Sequence, residues 1–383
     1  MGVYEELKVK RIINACGTYP ALGGSVLDED VLSAMADAAR SFVDMNDLEE
    51  KAGKVIAEIT GAEAGYVSSG AFAGLVLAIA ACMVGEDMNK ILQLPNTEGM
   101  KNEVIIQKQQ RNYYDTCITA AGAKIVEVGG EVTRPEDIKN AINDKTAAIL
   151  FIDLSPQENI VPLPDVVKIA HENNVPVIVD AAAELPPVEN LREYIANGAD
   201  IVVFSGGKDI GGPNDTGIVC GKRKWINIIS SLGPYAYARS LKRAPFGRGF
   251  KVSKEQIVGL VVALKKYVKI DHKERLKKFG EKVDWIVSEL KDIPGIRVSK
   301  VYPRRGHGRP LIIPRVEIIL DKEKTKLSAD KILRLLEEGD PPIRMYKVDE
   351  NIYINPQCLK SGEEQIIVNR LKEIFLNQKI NKF

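Results

Sequence analysis

The chain has 383 residues, with 53 Lys and Arg against 52 Asp and Glu for a net charge of +1, and a hydrophobic content of 45%. That is enough for one large α/β domain and a smaller companion, and the charge balance argues against a global basic field for holding nucleic acid. Five scattered cysteines without CxxC, three histidines without HExxH and no apolar run of 18 residues argue against a disulfide framework, a zinc site and a membrane span.

A helical pattern at 28–39 carries too little apolar surface to stand alone, so residues 1–45 are expected to pack as one segment on the carboxyl-terminal domain. From about 62 to 221, short apolar runs alternate with helical spacing. The runs are 65–69 (GYVSS), 103–108 (EVIIQK), 124–128 (KIVEV), 148–153 (AILFID), 176–181 (PVIVDA), 201–205 (IVVFS) and 217–220 (GIVC). Uninterrupted apolar runs of this length predict strands covered on both faces. Helical patterns at 71–84 and 164–172 lie between them. The alternation predicts a mostly parallel seven-stranded sheet within a large domain, 46–265, with ligands at the carboxyl ends of the strands. After Gly221 the pattern changes. Long helices at 253–268 and 273–291, a strand at 315–320, a helix at 328–338, a hairpin at 343–355 and a closing helix at 362–376 read as a smaller α+β domain, 266–383.

Three places in the large domain could carry chemistry. Ser68-Ser69-Gly70-Ala71 ends a strand and opens a helix of small residues. Backbone N–H groups at a helix start beside hydroxyls make an anion site; tight helix packing on the sheet is the alternative. Asp180 closes the strand VPVIVD and is followed by Ala181 and Ala182; it points into the ligand crevice, unless it caps a helix or binds a metal. Lys208 follows a buried strand and two glycines, where desolvation would make its amine a usable nucleophile and base, unless it is an exposed loop lysine. Taken together and in this order, the three form the constellation of fold-type-I pyridoxal-phosphate enzymes. Lysine binds the cofactor, aspartate keeps the pyridine nitrogen protonated, and the helix start holds the phosphate with help from Ser205.

Longer stretches sharpen this. RIINACGTYPALGGSVL, SFVDMNDLEEKAGKVIAEITGAEAGYVSSGAFAG, FSGGKDIGGPNDTGIVCG, FGRGFKVSKEQIVGL and EEGDPPIR resemble the pyridoxal-phosphate family of L-seryl-tRNA(Sec) selenium transferase and D-glucosaminate-6-phosphate ammonia-lyase, from about residue 10 to 375. By position, the resemblance makes Lys208 the Schiff-base lysine, Asp180 the pyridinium partner and Ser69-Gly70-Ala71 the phosphate loop, with Ala182 also in the cofactor site. Gln110 stands where related sequences often have a histidine over the cofactor ring; its amide can cover the ring but cannot shuttle protons. The selenium transferases' amino-terminal tRNA-binding domain has no counterpart ahead of Ile12. Together with the net charge, this argues against tRNA as a substrate.

Arg248, Arg309 and Arg344 are candidate receptors for substrate anions, each with the alternative of a surface or interface charge. His307 could line the entrance or lie on an exposed loop, and Cys16 reads as a packing residue. The resemblance implies a cytoplasmic lyase that releases ammonia and a 2-oxo acid from an amino acid or amino sugar acid. Selenium-transferase-like β-replacement, or cofactor binding without turnover, are the alternatives. It also implies a homodimer or larger homo-oligomer, and the long Tyr-, Arg- and Gly-rich loop 231–250 is placed at a shared site.

Overall fold

The computed structural model describes residues 2–153, 158–236, 245–304, 308–325 and 327–376. The chain divides into two compact units, Leu27–Lys269 and Met1–Val26 with Ile270–Phe383. A two-residue strand, β1 (Ile13–Asn14), comes first and belongs to the second unit.

In the larger unit, seven strands build one sheet: β2 (Ala64–Ser68), β3 (Glu103–Gln107), β4 (Lys124–Val128), β5 (Thr146–Ile152), β6 (Val177–Asp180), β7 (Ile201–Ser205) and β8 (Gly217–Gly221). Their order is β2-β8-β7-β6-β5-β3-β4, and only β8 runs against its neighbours. All seven runs read from the sequence are strands. Side chains alternate across the pleat, so each strand feeds both cores. Tyr66, Ile106, Leu150, Ile178, Val203 and Val219 face one core, together with helix Gly70–Val84. Val67, Ile105, Phe151, Val179, Val202 and Ile218 face the other, where helices Met45–Thr60, Leu163–Glu172 and Lys254–Tyr267 contribute.

Helix Gly70–Val84 is buried continuously from Ala73 to Val84. This explains its lack of a polar stripe. Its small residues allow a close approach to the sheet: a Cβ on Gly74 would come within 3.0 Å of Val219, Ser68 and Val203.

The smaller unit holds an antiparallel sheet. Its strands are β9 (Ile296–Val301) and β10 (Arg315–Leu320), then, after the short β11 (Ile343–Arg344), β12 (Tyr346–Val348) and β13 (Asn351–Ile354). The sheet order is β12-β13-β10-β9, while β11 pairs in parallel with β1. The hairpin expected from 343 therefore begins at Tyr346, because Ile343 and Arg344 bond to the amino-terminal strand instead.

The segment 1–45 is not one piece. Residues up to Val26 belong with the carboxyl-terminal unit, but helix Glu29–Ala39 lies in the larger one, along helix Lys254–Tyr267. Met35 packs on Gly259, and Lys266 bridges Asp28 and Asp30 at 2.9 Å. The little apolar surface on this helix is enough to cover a neighbouring helix. Among the described residues no helix is long and apolar enough to cross a membrane, and no cluster of His, Cys, Asp or Glu could hold a metal.

Candidate active site

Sheet register gathers the candidate residues. β2 and β7 both flank β8, so Ser68, Gly217 and Ser205 stand in one row at the edge where the parallel strands end. On the next strand Asp180 pairs with Val203. Ser68, Ser205 and Asp180 share the alternation of Tyr66, Val203 and Ile178, so all three project on the face covered by helix Gly70–Val84. That helix starts at the same edge. Its N-terminal N–H groups therefore open beside two hydroxyls, with a carboxylate one strand further on.

The helix start is shaped as a cradle. Ser69 is the N-cap residue, yet its hydroxyl makes no capping bond, and Gly70 has φ +83° with open space where a side chain would be. Only glycine adopts that conformation cheaply. The Ser68 hydroxyl donates to the Gly70 carbonyl at 2.9 Å. A Cβ on Gly217 would lie 2.5–2.7 Å from Gly70 and from the Ser68 hydroxyl. Backbone brought this close by missing side chains, with an uncommitted hydroxyl at the mouth, fits a phosphate group.

Asp180 is 8% exposed, and its Oδ1 accepts from the Ala182 N–H at 3.0 Å. Ala182 and Ala183 are half-buried, so small side chains border the carboxylate. Behind it, burial together with Asp180 and Asp115 pushes the thiol of Cys117 up to about 12, so Cys117 stays a neutral thiol. Lys208 is half-buried in the loop joining β7 to β8. Its backbone is braced by bonds from Gly211 N to Lys208 O (3.0 Å), Gly212 N to Gly206 O (2.9 Å) and Gly206 N to Thr216 O (2.8 Å).

The other expectations fare differently. Gln110 is 1% exposed, and its amide donates to Ile152 O at 2.7 Å while its Oε1 accepts nothing. Its donor is thus committed to the end of β5. A buried amide satisfies its donor on a strand-end carbonyl first. Arg248 is exposed on the short turn Phe246–Gly249 in the larger unit. Arg309 and Arg344 belong to the smaller unit; Arg309 gives its carbonyl to Arg315 at 3.2 Å, and the Arg344 guanidinium pairs with Glu337. Burial lifts the Cys16 thiol to about 11, in keeping with a packing role. His307 and residues 237–244 of the loop 231–250 lie outside the described residues.

Sequence reasoning gave no role to two residues at this edge. Asp153 ends its apolar run just as Asp180 does, and Asp209 directly follows Lys208; only their partners in space, Tyr194 and Tyr267, set them apart.

Residues 12–280 match the family described as L-seryl-tRNA selenium transferase. The chain belongs to this family. It is 32% identical to a D-glucosaminate-6-phosphate ammonia lyase of Salmonella typhimurium, over 97% of each chain. It is 31% identical to a 5'-C-glycyluridine monooxygenase-decarboxylase of a Streptomyces species, over 98% of this chain and 92% of the relative. Among solved structures, a D-glucosaminate-6-phosphate ammonia-lyase superposes with a TM-score of 0.84 at 30% identity, covering 99% of both chains. The fold is that of fold-type-I pyridoxal-phosphate enzymes.

Proposed function

We propose that this protein is a pyridoxal 5'-phosphate-dependent ammonia-lyase that converts an amino acid or amino sugar acid with a β-hydroxyl into a 2-oxo acid and ammonia. The observation that carries the reading is the shared face of Ser68, Ser205 and Asp180, with the start of helix Gly70–Val84 beside them and Lys208 on the adjoining loop. The likeness to the ammonia lyase, over nearly the full length of both chains, supports elimination.

The bound cofactor supplies an electron sink for the charge left at Cα. The chain supplies the rest. Ser69, Ser205 and the N–H groups from Gly70 onward hold the phosphate, and Asp180 keeps a proton on the ring nitrogen. The amine of Lys208 would hold the cofactor and would serve as the base that takes the Cα proton. The β-hydroxyl leaves as water with one proton, and hydrolysis of the resulting enamine yields the 2-oxo acid and ammonia. Gln110 has no titratable group, so proton transfer falls to Lys208.

The same proposal includes assembly into at least a dimer and work in the cytoplasm, where the five free cysteines stay reduced. Arg248 is the anion receptor it favours, because it lies within the Tyr-, Arg- and Gly-rich stretch 231–250 expected at the shared site. A screen of hydroxy amino acids and phosphorylated amino sugar acids for 2-oxo acid release tests the reaction. Borohydride reduction followed by mass spectrometry is expected to find the pyridoxyl adduct on Lys208, and Lys208→Ala is expected to lose both adduct and turnover. An adduct on another lysine would overturn the site. Oxygen-dependent decarboxylation with no ammonia release would replace the lyase by the chemistry named for the Streptomyces relative.

A further inference from the structure

Lys208 and Asp209 are neighbours in the loop after β7. Lys208 is half-buried, whereas Asp209 is 6% exposed and its Oδ2 accepts the phenol O–H of Tyr267 at 2.9 Å. Tyr267 is 1% exposed and is the last residue of helix Lys254–Tyr267.

The same helix supports the loop at further points. Leu260 lies where a Cβ on Gly206 would come within 2.5 Å and one on Gly212 within 3.1 Å, and a Cβ on Gly259 would come within 3.0 Å of Pro213. The segment carrying the lysine is therefore seated on this helix before, at and after residue 208. Packing by Leu260 is nondirectional. The Asp209–Tyr267 hydrogen bond is directional, and it acts one peptide away from the amine-bearing residue.

We propose that Asp209 and Tyr267 are a positioning pair, fixing the peptide after Lys208 so that its amine reaches the row formed by Ser68, Ser205 and Asp180. The inference rests on the role proposed above for Lys208. Its physical basis is the steep dependence of reactivity on placement, where an error of about 1 Å at a reacting group costs on the order of 10²-fold.

The test mixes apoprotein with pyridoxal 5'-phosphate and follows the growth of the visible band of the lysine-bound cofactor, alongside kcat and KM. Tyr267→Phe removes one hydroxyl at nearly constant volume. It is expected to slow band growth and lower kcat by about tenfold each, with KM unchanged. Asp209→Asn still presents an oxygen to Tyr267 and is expected to stay within about twofold of the unmodified protein, whereas Asp209→Ala should behave like Tyr267→Phe. If Tyr267→Phe does not fold, the contrast between Asp209→Asn and Asp209→Ala carries the test.

A Tyr267→Phe protein with a lower melting temperature but unchanged band growth and kcat would make the pair a structural tie and overturn the inference. Lys208→Ala separates that failure from failure of the site itself. Absence of the band in this variant leaves the site assignment standing, while its persistence would overturn the site.

Discussion

Two aspartates close neighbouring strands of the large sheet, and their surroundings differ. Asp180 ends β6 and Asp153 follows β5; the Asp153 N–H bonds to the Asp180 carbonyl at 3.2 Å, and both residues are 8% exposed. Asp180 shares the alternation of Ile178 and projects on the side of helix Gly70–Val84 and Cys117. Asp153 shares that of Phe151 and projects on the opposite side, where the hydroxyl of Tyr194 donates to it at 2.7 Å, against Phe204. One residue of register separates a carboxylate on the side of helix Gly70–Val84 from one held by Tyr194 in the opposite core. A buried carboxylate at a strand end is therefore not by itself a catalytic signal; the face it takes decides.

The largest effect expected from breaking this contrast is at Asp180. Asp180→Asn keeps size and shape but removes the charge, so the fold should survive while kcat falls on the order of 10²-fold. Circular dichroism, melting temperature and turnover measured together check this. Near-full activity would reduce Asp180 to a capping role through its bond with Ala182.

A third buried carboxyl sharpens the comparison through pH. Glu49, on helix Met45–Thr60, is 6% exposed; its Oε2 accepts from the Val67 N–H at 3.2 Å and its Oε1 has no partner. Burial, only partly offset by that hydrogen bond, lifts its carboxyl to about 8. The raised value means the folded chain holds a proton that the unfolded chain releases above about 4.5. Glu49 therefore contributes most stability below that pH, and the contribution falls away as pH rises to about 8. Glu49→Gln keeps an oxygen for Val67 and cannot ionise. It is expected to flatten this part of the stability profile and to be more stable than the unmodified chain at pH 8, by about 2–4 kcal/mol. Denaturant unfolding at pH 5 and pH 8 measures the difference. Parallel profiles for the two proteins would mean that Glu49 is ionised in the fold.

The smallest effect belongs to the Asp153 side. Tyr194→Phe deletes a buried hydroxyl and should cost about 1–2 kcal/mol of stability. Turnover should stay within about threefold, since the pair faces away from helix Gly70–Val84. A larger fall in turnover than in stability would put Asp153 in the chemistry and undo the contrast drawn here.

The seven strands, helix Gly70–Val84 and the positions of Asp180 and Lys208 in the chain were legible in the residues themselves. Most of the strands are covered on both faces and so read as apolar runs, while β4, at the edge of the sheet, is only partly covered. The helix is buried all round and so reads as small and apolar. Gly70 takes a left-handed φ, Gly206 leaves room for Thr216 and Leu260, and Gly207 and Gly217 let backbone approach backbone. Other features depended on partners distant in sequence. Gln110 donates to the carbonyl of Ile152, and helix Glu29–Ala39 packs along helix Lys254–Tyr267. Which of two strand-end aspartates takes the side of helix Gly70–Val84 was decided by sheet parity, and the partner of Asp209 is a tyrosine 58 positions away. Local patterns report the average surroundings a segment requires, covered or exposed, tight or loose. The particular atom that satisfies a buried polar group comes from elsewhere in the chain and is set only when the sheet and its helices close around it.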